Sequence, residues 1–285
     1  MPIRSTAVGT ETPPYDQDIT TRRCLAYAAA LGETDDVYFD DARPGGIIAH
    51  PAMAVSLEWP PSRDLRLVPA FGATPDEHLR VVHAEQDTQF HTPIRPGDKL
   101  SARGQLISVE RIKPGAKTVT KLILERDDGT PISTSFSTAI YRGVETDGAD
   151  TVTEAPAPWP EEAPPNPWAE TSIAVARELP HIYTECADIF SGIHTEREVA
   201  LAAGLPDIIL HGTCTWALAM SVIIDAYLDG QPEKLARFAG RFTGMVIPGT
   251  DIIVRHGATP SGAQFEVIAA DGSTAISKGS AAFEN

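Results

Sequence analysis

The sequence predicts an α+β protein made of two similar units, each an antiparallel sheet curled around one apolar helix. Three observations predict this: a weak internal repeat, a proline-rich break between the copies, and a helix that is apolar on nearly every face.

The repeat is carried by two pairs of segments. Ile47-Ile48-Ala49-His50-Pro51-Ala52-Met53-Ala54 is matched by Ile208-Ile209-Leu210-His211-Gly212-Thr213-Cys214-Thr215. Each apolar stretch runs into a His and then into a helix of small residues. Further on, the segment from Phe90 through Pro96-Gly97 to Leu100 is echoed by the segment from Phe242 through Pro248-Gly249 to Ile252. Pro-Gly marks a turn, and an alternating strand follows each time. Each copy closes with a hairpin. Leu122 to Glu125 and Ile132 to Ile140 flank Asp127-Asp128-Gly129, while Phe265 to Ala269 and Ala275 to Phe283 flank Ala270-Asp271-Gly272. Asp-Gly between β-rich runs is a strong hairpin signal.

The break runs from Glu145 to Ala169 and holds Pro156, Pro158, Pro160, Pro164, Pro165 and Pro167 among scattered acids. Such a stretch reads as an extended linker that builds neither helix nor sheet. The layout expected is a unit at 1–144, a linker at 145–169 and a unit at 170–285. Within each unit the order is helix, apolar helix, strands. The second apolar helix, Thr213 to Leu228, is almost continuously apolar from Trp216 to Ile224. A helix of that kind must be wrapped rather than laid on a surface, and a long curled sheet does the wrapping.

Composition narrows the function classes. Of 285 residues, 42% are hydrophobic and 22% charged, the balance of an ordinary globular chain. No apolar run reaches the ~18 residues of a membrane span. The start, Met1-Pro2-Ile3-Arg4-Ser5, has no apolar signal core, so a cytoplasmic protein is expected. The net charge of -16, from 39 acidic and 23 basic residues, repels phosphate backbones and argues against a nucleic-acid partner. Cys24, Cys186 and Cys214 have no metal-ligand spacing and read as reduced thiols. No metal, nicotinamide or flavin motif is present, and no cofactor is expected.

The segment Tyr183-Thr184-Glu185-Cys186-Ala187-Asp188-Ile189-Phe190-Ser191-Gly192-Ile193-His194-Thr195 resembles the signature of MaoC-like (R)-specific enoyl-CoA hydratases. That signature runs aromatic, small residues, Gly-Asp-x-Asn-Pro-apolar-His. Ala202-Ala203-Gly204-Leu205-Pro206 and Ile209-Leu210-His211-Gly212-Thr213 are similar to the same family. The likeness is strongest over Tyr183 to Met220. It implies two fused hot-dog units and a hydro-lyase that adds or removes water across an α,β-unsaturated acyl thioester. Counting back from His194, the family Pro falls on Gly192, its Asn on Ser191 and its catalytic Asp on Ile189. A carboxylate, Asp188, stands one place earlier. Either a one-residue bulge brings Asp188 into the site, or the family acid is missing, because neighbouring residues point in different directions.

Hydration needs a base to activate water at Cβ, a proton donor at Cα and donors for the enolate-like oxygen. His194 fits the acid–base role. The Gly212 N–H, at a helix start, fits the oxygen-donor role. The first copy has Pro51 in place of Gly212, and proline has no N–H. Its Gly32-Glu33-Thr34-Asp35-Asp36 region carries acids but no His. One active and one degenerate unit follow; by resemblance, the degenerate unit leaves room for a bulky acyl tail. The catalytic candidates are His194, Asp188, Ser191 and Gly212. For the phosphates of a CoA carrier the candidates are Lys234, Arg237, Arg241 and Lys278.

Each has an ordinary alternative. His194 can also be read as a satisfied structural His, and His50 with His211 as a shared structural pair. Asp188 reads as a local cap, Ser191 as a turn residue, and the four cations as solvated surface charge. Two rival functions stand beside the hydro-lyase: a thioesterase on the same fold, and a non-catalytic acyl-binding protein. The expected partner is an acyl-CoA or acyl-carrier-protein substrate, with no nucleic acid and no membrane. The oligomer is not fixed: two units in one chain can form the paired hot-dog interface internally, and a homodimer stays open.

Overall fold

The structure, a computed structural model, describes residues 2–284. In chain order the elements are β1 (Ile3–Arg4), β2 (Tyr15–Asp18), α1 (Thr21–Ala30), α2 (Asp36–Phe39), α3 (Met53–Leu65), α4 (Pro75–His78), β3 (Val81–Phe90), β4 (Lys99–Ile112), β5 (Gly115–Arg126), β6 (Pro131–Arg142), β7 (Thr146–Asp147), β8 (Thr151–Val152), β9 (Ala169–Ala174), α5 (Leu179–Ala187), α6 (Arg197–Ala202), α7 (Gly212–Tyr227), β10 (Leu235–Phe242), β11 (Asp251–Thr259), β12 (Gly262–Ile268) and β13 (Thr274–Phe283). They fall into two compact units. One holds the chain up to Gln17, Leu57–Thr92 and Lys99–Pro158; the other holds Asp18–Ser56, Pro93–Asp98 and the chain from Trp159.

In the first unit the strands lie in the order β2-β4-β5-β6-β3, with β4, β5, β6 and β3 antiparallel. The β5–β6 hairpin turns where the sequence predicts. Gly129 there takes a left-handed φ of 85° that a side chain disfavours. The face of β6 that carries Ser133, Ser135 and Ser137 is buried and polar. It meets Glu58 of α3, whose Oε1 accepts from the Ser133 and Ser135 hydroxyls at 2.9 Å each. An apolar cluster of Ile3, Leu65, Phe71, Leu106, Val109 and Tyr141 closes the same unit.

The stretch from Glu145 to Ala169 is not uniformly without structure, which corrects the sequence expectation. Thr146–Asp147 pairs in parallel with Ile3–Arg4, and Thr151–Val152 pairs with Ser108 and Val109. The prolines begin only at Pro156, so the residues before it keep the N–H groups that a strand needs.

In the second unit the order is β10-β13-β12-β11-β9, all antiparallel. Helix α7 packs on β10 to β13. Its apolar run is buried as the periodicity requires, with Trp216 edge-on to Phe238 at 5.1 Å and Phe238 stacked on Phe265 at 4.6 Å. Burying each such side chain stabilises the fold by roughly 1.5–3 kcal/mol. Helix α1 joins this unit because it packs on α5. The Tyr27 and Tyr183 hydroxyls meet at 3.2 Å, and the Ser56 hydroxyl donates to the Ala187 carbonyl. Each unit thus pairs an antiparallel sheet with its own helix, which is the predicted α+β architecture.

Candidate active site

The site forms within the second unit, where the end of α5, the turn after it and the start of α7 meet. Ser191 is extended, and its carbonyl accepts the His194 N–H at 3.0 Å. This opens the single 3-10 turn Gly192–His194. Gly192 is tightly placed, since a Cβ there would lie 3.0 Å from Val199 of α6. The half-buried His194 then points its Nδ1 at the Ile209 carbonyl, 2.8 Å away. A carbonyl only accepts, so Nδ1 carries the proton and Nε2 keeps a lone pair. Burial lowers the His194 pKa, with the Ile209 carbonyl opposing it. The ring is a neutral base at neutral pH.

His211, immediately before α7, lies against His194. The ring centroids are 3.7 Å apart and the planes 24° apart. His211 is buried, and its Nε2–H is shared between the Thr184 hydroxyl at 3.1 Å and the Ile189 carbonyl at 3.3 Å. Its Nδ1 has no hydrogen-bond partner among the described residues. Burial and, after it, the neighbouring His194 push its pKa down to about 3. Gly212 opens the 16-residue helix α7, and among the described residues no side chain caps that helix start. The first amides of a helix lack intrahelical acceptors, and the helix dipole makes this end attractive to negative charge. The approach is tight: a Cβ on Gly212 would lie 3.1 Å from the Phe242 ring.

Asp188 stands apart from this group. It is an exposed residue in a left-handed conformation, φ 56°, ending α5. Its carboxylate acts on Arg23, and no carboxylate is among the causes of the His194 shift. Ile189, the residue in the slot of the family acid, is buried and contributes its carbonyl. Asp188 is thus an exposed residue at the left-handed end of α5, while the imidazole pair is at least half-buried.

A cavity of about 490 Å³ opens beside the site, lined by Arg177, His181, Thr195, Arg197, Asp207 and Ile208 among others. Thr195 and Ile208 are chain neighbours of His194 and Ile209. The four predicted cations are not among its lining residues. Lys234 ends a 3-10 turn before β10, Arg237 and Arg241 lie on β10 with Arg237 over the Trp159 ring at 4.2 Å, and Lys278 is exposed on β13. Among the described residues, no group of three His, Cys, Asp or Glu side chains is placed to hold a metal ion. Cys24 and Cys214 are buried, Cys186 is half-buried, and all three are free.

The same unit contains a second copy of this arrangement, built from the first sequence repeat. Tyr27 and Tyr183 are 156 residues apart, and the same separation sets Tyr38 against His194 and Glu33 against Ile189. The backbone agrees. Ile48 N–H bonds the Val37 carbonyl as Ile209 N–H bonds Ile193, and Ala49 N–H bonds Ile94 as Leu210 N–H bonds Val246. In this copy His50 is fully buried, and its Nδ1 accepts the Ala52 N–H at 3.2 Å. Its Nε2 faces Ser221, whose hydroxyl donates to Glu33. The copy is closed: Pro51 has no N–H and the Ala52 N–H is consumed. Sequence reading missed Tyr38, Thr184 and the Ile189 carbonyl. The shared spacing of Tyr27 and Tyr183 is the signal that leads to the first of them.

An antiparallel sheet packed on an apolar helix is the hot-dog arrangement, and here an imidazole pair stands at the start of that helix. Two family models match the chain: a FAS1-like dehydratase domain region over residues 6–134 and a MaoC like domain over residues 166–276. The second part of the chain thus carries a MaoC like domain and the first part a dehydratase-type region. It is 25% identical over 264 residues to a protein named enoyl-CoA hydratase ChsH3 from Mycobacterium tuberculosis, covering 89% of each chain. It is 26% identical over 287 residues to 3-hydroxyacyl-thioester dehydratase Y of the same organism, covering 96% of this chain and 95% of that one. A solved MaoC-like dehydratase from Phytophthora capsici shares the fold, with a TM-score of 0.83 at 20% identity over 99% of this chain and 97% of that one. No helix of the described residues is long and apolar enough to cross a membrane.

Proposed function

We propose that the chain adds water to, or removes it from, an α,β-unsaturated acyl thioester, with His194 as its acid–base group. One observation carries this reading: the Ile209 carbonyl fixes the His194 proton on Nδ1, so Nε2 is a base held beside the open start of α7. In the hydration direction Nε2 takes a proton as the water oxygen bonds Cβ. The negative charge that develops on the thioester oxygen is met by the Gly212 N–H. The imidazolium then returns the proton to Cα, and the balance is one water added. With Asp188 exposed at the end of α5, His194 carries the proton transfer without a carboxylate partner.

The carrier is held through its phosphates. Arg177 and Arg197 line the cavity beside Thr195 and are better placed for a CoA phosphate than Lys234, Arg237, Arg241 or Lys278. Arg197 also faces Asp207 at 3.3 Å, so Arg177 is the stronger candidate. A panel of trans-2-enoyl-CoA and enoyl-carrier-protein thioesters with product analysis tests the whole reading. A 3-hydroxyacyl product supports it. Free CoA or free carrier thiol identifies a thioesterase, and binding without turnover identifies an acyl-binding protein.

A further inference from the structure

The two imidazoles that precede the central helices, His50 and His211, occupy matching positions and are hydrogen-bonded in opposite senses. His50 turns Nδ1 to the Ala52 amide and so caps its own helix start. His211 gives Nε2–H to Ile189 and Thr184, makes no cap, and keeps Nδ1 without a partner among the described residues although the residue is buried. The matching amide to that of Ala52 is the Thr213 N–H. It lies in the first turn of α7, where no intrahelical acceptor exists.

Two features hold His211 in this sense. Thr184 and the Ile189 carbonyl belong to the end of α5 and the turn after it, so the acceptors arrive from outside the helix. The His194 ring covers one face at 3.7 Å. In the first repeat the ring in the place of His194 is Tyr38, tilted by 40° at 5.5 Å from His50.

Resting on the hydro-lyase reading above, we propose that His211 is a positioning residue for the reaction: its outward hydrogen bonds leave the Gly212 and Thr213 amides open to the thioester oxygen, and its ring seats His194. The thioester oxygen then meets two donors, not one. The first repeat lacks both, one through Pro51 and one through His50.

Two variants test this. His211→Asn supplies a side chain that caps helix starts well, and so closes the Thr213 amide. His211→Phe keeps a ring under His194 but cannot cap. Amide hydrogen exchange at Gly212 and Thr213 gives a readout independent of activity. In the parent these amides exchange fast; in His211→Asn the Thr213 amide slows and the thermal midpoint holds. With an enoyl thioester that the parent turns over, His211→Asn lowers kcat by roughly 100- to 1,000-fold, the effect of removing one such donor, while KM moves less than about threefold. His211→Phe retains more kcat than His211→Asn although its thermal midpoint is lower. Slow Thr213 exchange in the parent overturns the proposal, as does full kcat in His211→Asn or equal losses in both variants. If the parent turns over no thioester at all, the hydro-lyase reading fails first, and the exchange data alone decide whether the amides are open.

Discussion

The His194 ring lies flat on the His211 ring with centroids 3.7 Å apart, although the two residues come from different turns of the chain. The contact holds a half-buried imidazole at the mouth of a helix whose first amides have no cap.

Replacing His194 by Ala removes the base placed at the open start of α7. Turnover of an enoyl thioester falls roughly 100- to 10,000-fold, while circular dichroism stays that of the parent because the side chain is only half-buried. The same group sets the acid limb of the pH–rate profile. Burial lowers its pKa, so kcat/KM is maintained below the ordinary histidine value of ~6.5 and declines as pH falls through the lowered one. An acid limb above that value assigns the limb to another group.

Gly212→Ala places a methyl group 3.1 Å from the Phe242 ring. The Phe242 ring or the start of α7 has to give by a few tenths of an ångström, and the expected effect is a displacement of the first amides. A drop of at least about tenfold in kcat is expected, with KM nearly unchanged. The double variant Gly212→Ala, Phe242→Leu restores space and recovers a measurable part of the loss. No recovery in the double variant means that the methyl group blocks substrate directly.

Asp188→Asn is expected to leave kcat within about twofold of the parent, the reverse of what pairing with His194 requires. The residue is exposed and left-handed, a conformation that Asn accepts readily. Asp188→Ala keeps the activity but lowers the thermal midpoint, since a Cβ-bearing residue without a local hydrogen bond is strained there. Steady-state kinetics and thermal melts of both variants check the pair. A sharp loss of kcat in Asp188→Asn returns the acid to the mechanism.

Two buried glutamates make stability fall as pH rises. Burial, opposed by Ser221 and reinforced by Asp225 and Asp35, pushes the Glu33 pKa up to about 7. Burial raises that of Glu58 to about 8, opposed by Ser135 and Ser133. For a carboxyl whose folded value lies above its unfolded value, the folded state holds the extra proton. Stability is then greatest below the unfolded value and is lost as pH rises through the folded one. Glu33→Gln is therefore more stable than the parent at pH ~8.5, by on the order of 2 kcal/mol, and gains nothing at pH ~4. Glu58→Gln behaves alike, with its transition reaching to about pH 8. Urea unfolding at the two pH values measures the difference. An equal gain at both values means that a neutral effect, such as better packing, is responsible.

Arg177→Ala is expected to raise KM for a CoA thioester by roughly three- to tenfold and to leave kcat near that of the parent, because a phosphate contact remote from the reacting carbons stabilises ground state and transition state alike. The rise in KM shrinks at high ionic strength. An unchanged KM at low salt moves the carrier phosphate elsewhere, with Arg237 and Arg241 the next positions to replace.

Features encoded within a few neighbouring residues are legible in the sequence by itself. Asp-Gly and Pro-Gly turns, strand alternation and the apolar run of Trp216 to Ile224 specify the hairpins, the strands after each Pro-Gly and the central helix. Backbone preference and side-chain period are properties of a short window, which is why these elements stand in the fold where the sequence puts them. The contrast between Pro51 and Gly212 is equally legible, because a missing N–H is a property of the residue itself. What tertiary structure alone decides is orientation. Asp188 and His194 lie six places apart, and only the fold leaves the first exposed at the left-handed end of α5 while the second is half-buried against His211. His211 and His50 are the same residue in the same local sequence setting; acceptors from the end of α5 turn one of them, and an amide of its own chain turns the other. The Tyr27–Tyr183 contact joins residues 156 positions apart, and the Glu58–Ser133 contact joins residues 75 apart. A hydrogen bond carries no information in the sequence about which of many distant donors will fill it. That choice is made by the packing of whole elements, which buries the group and leaves one partner within reach.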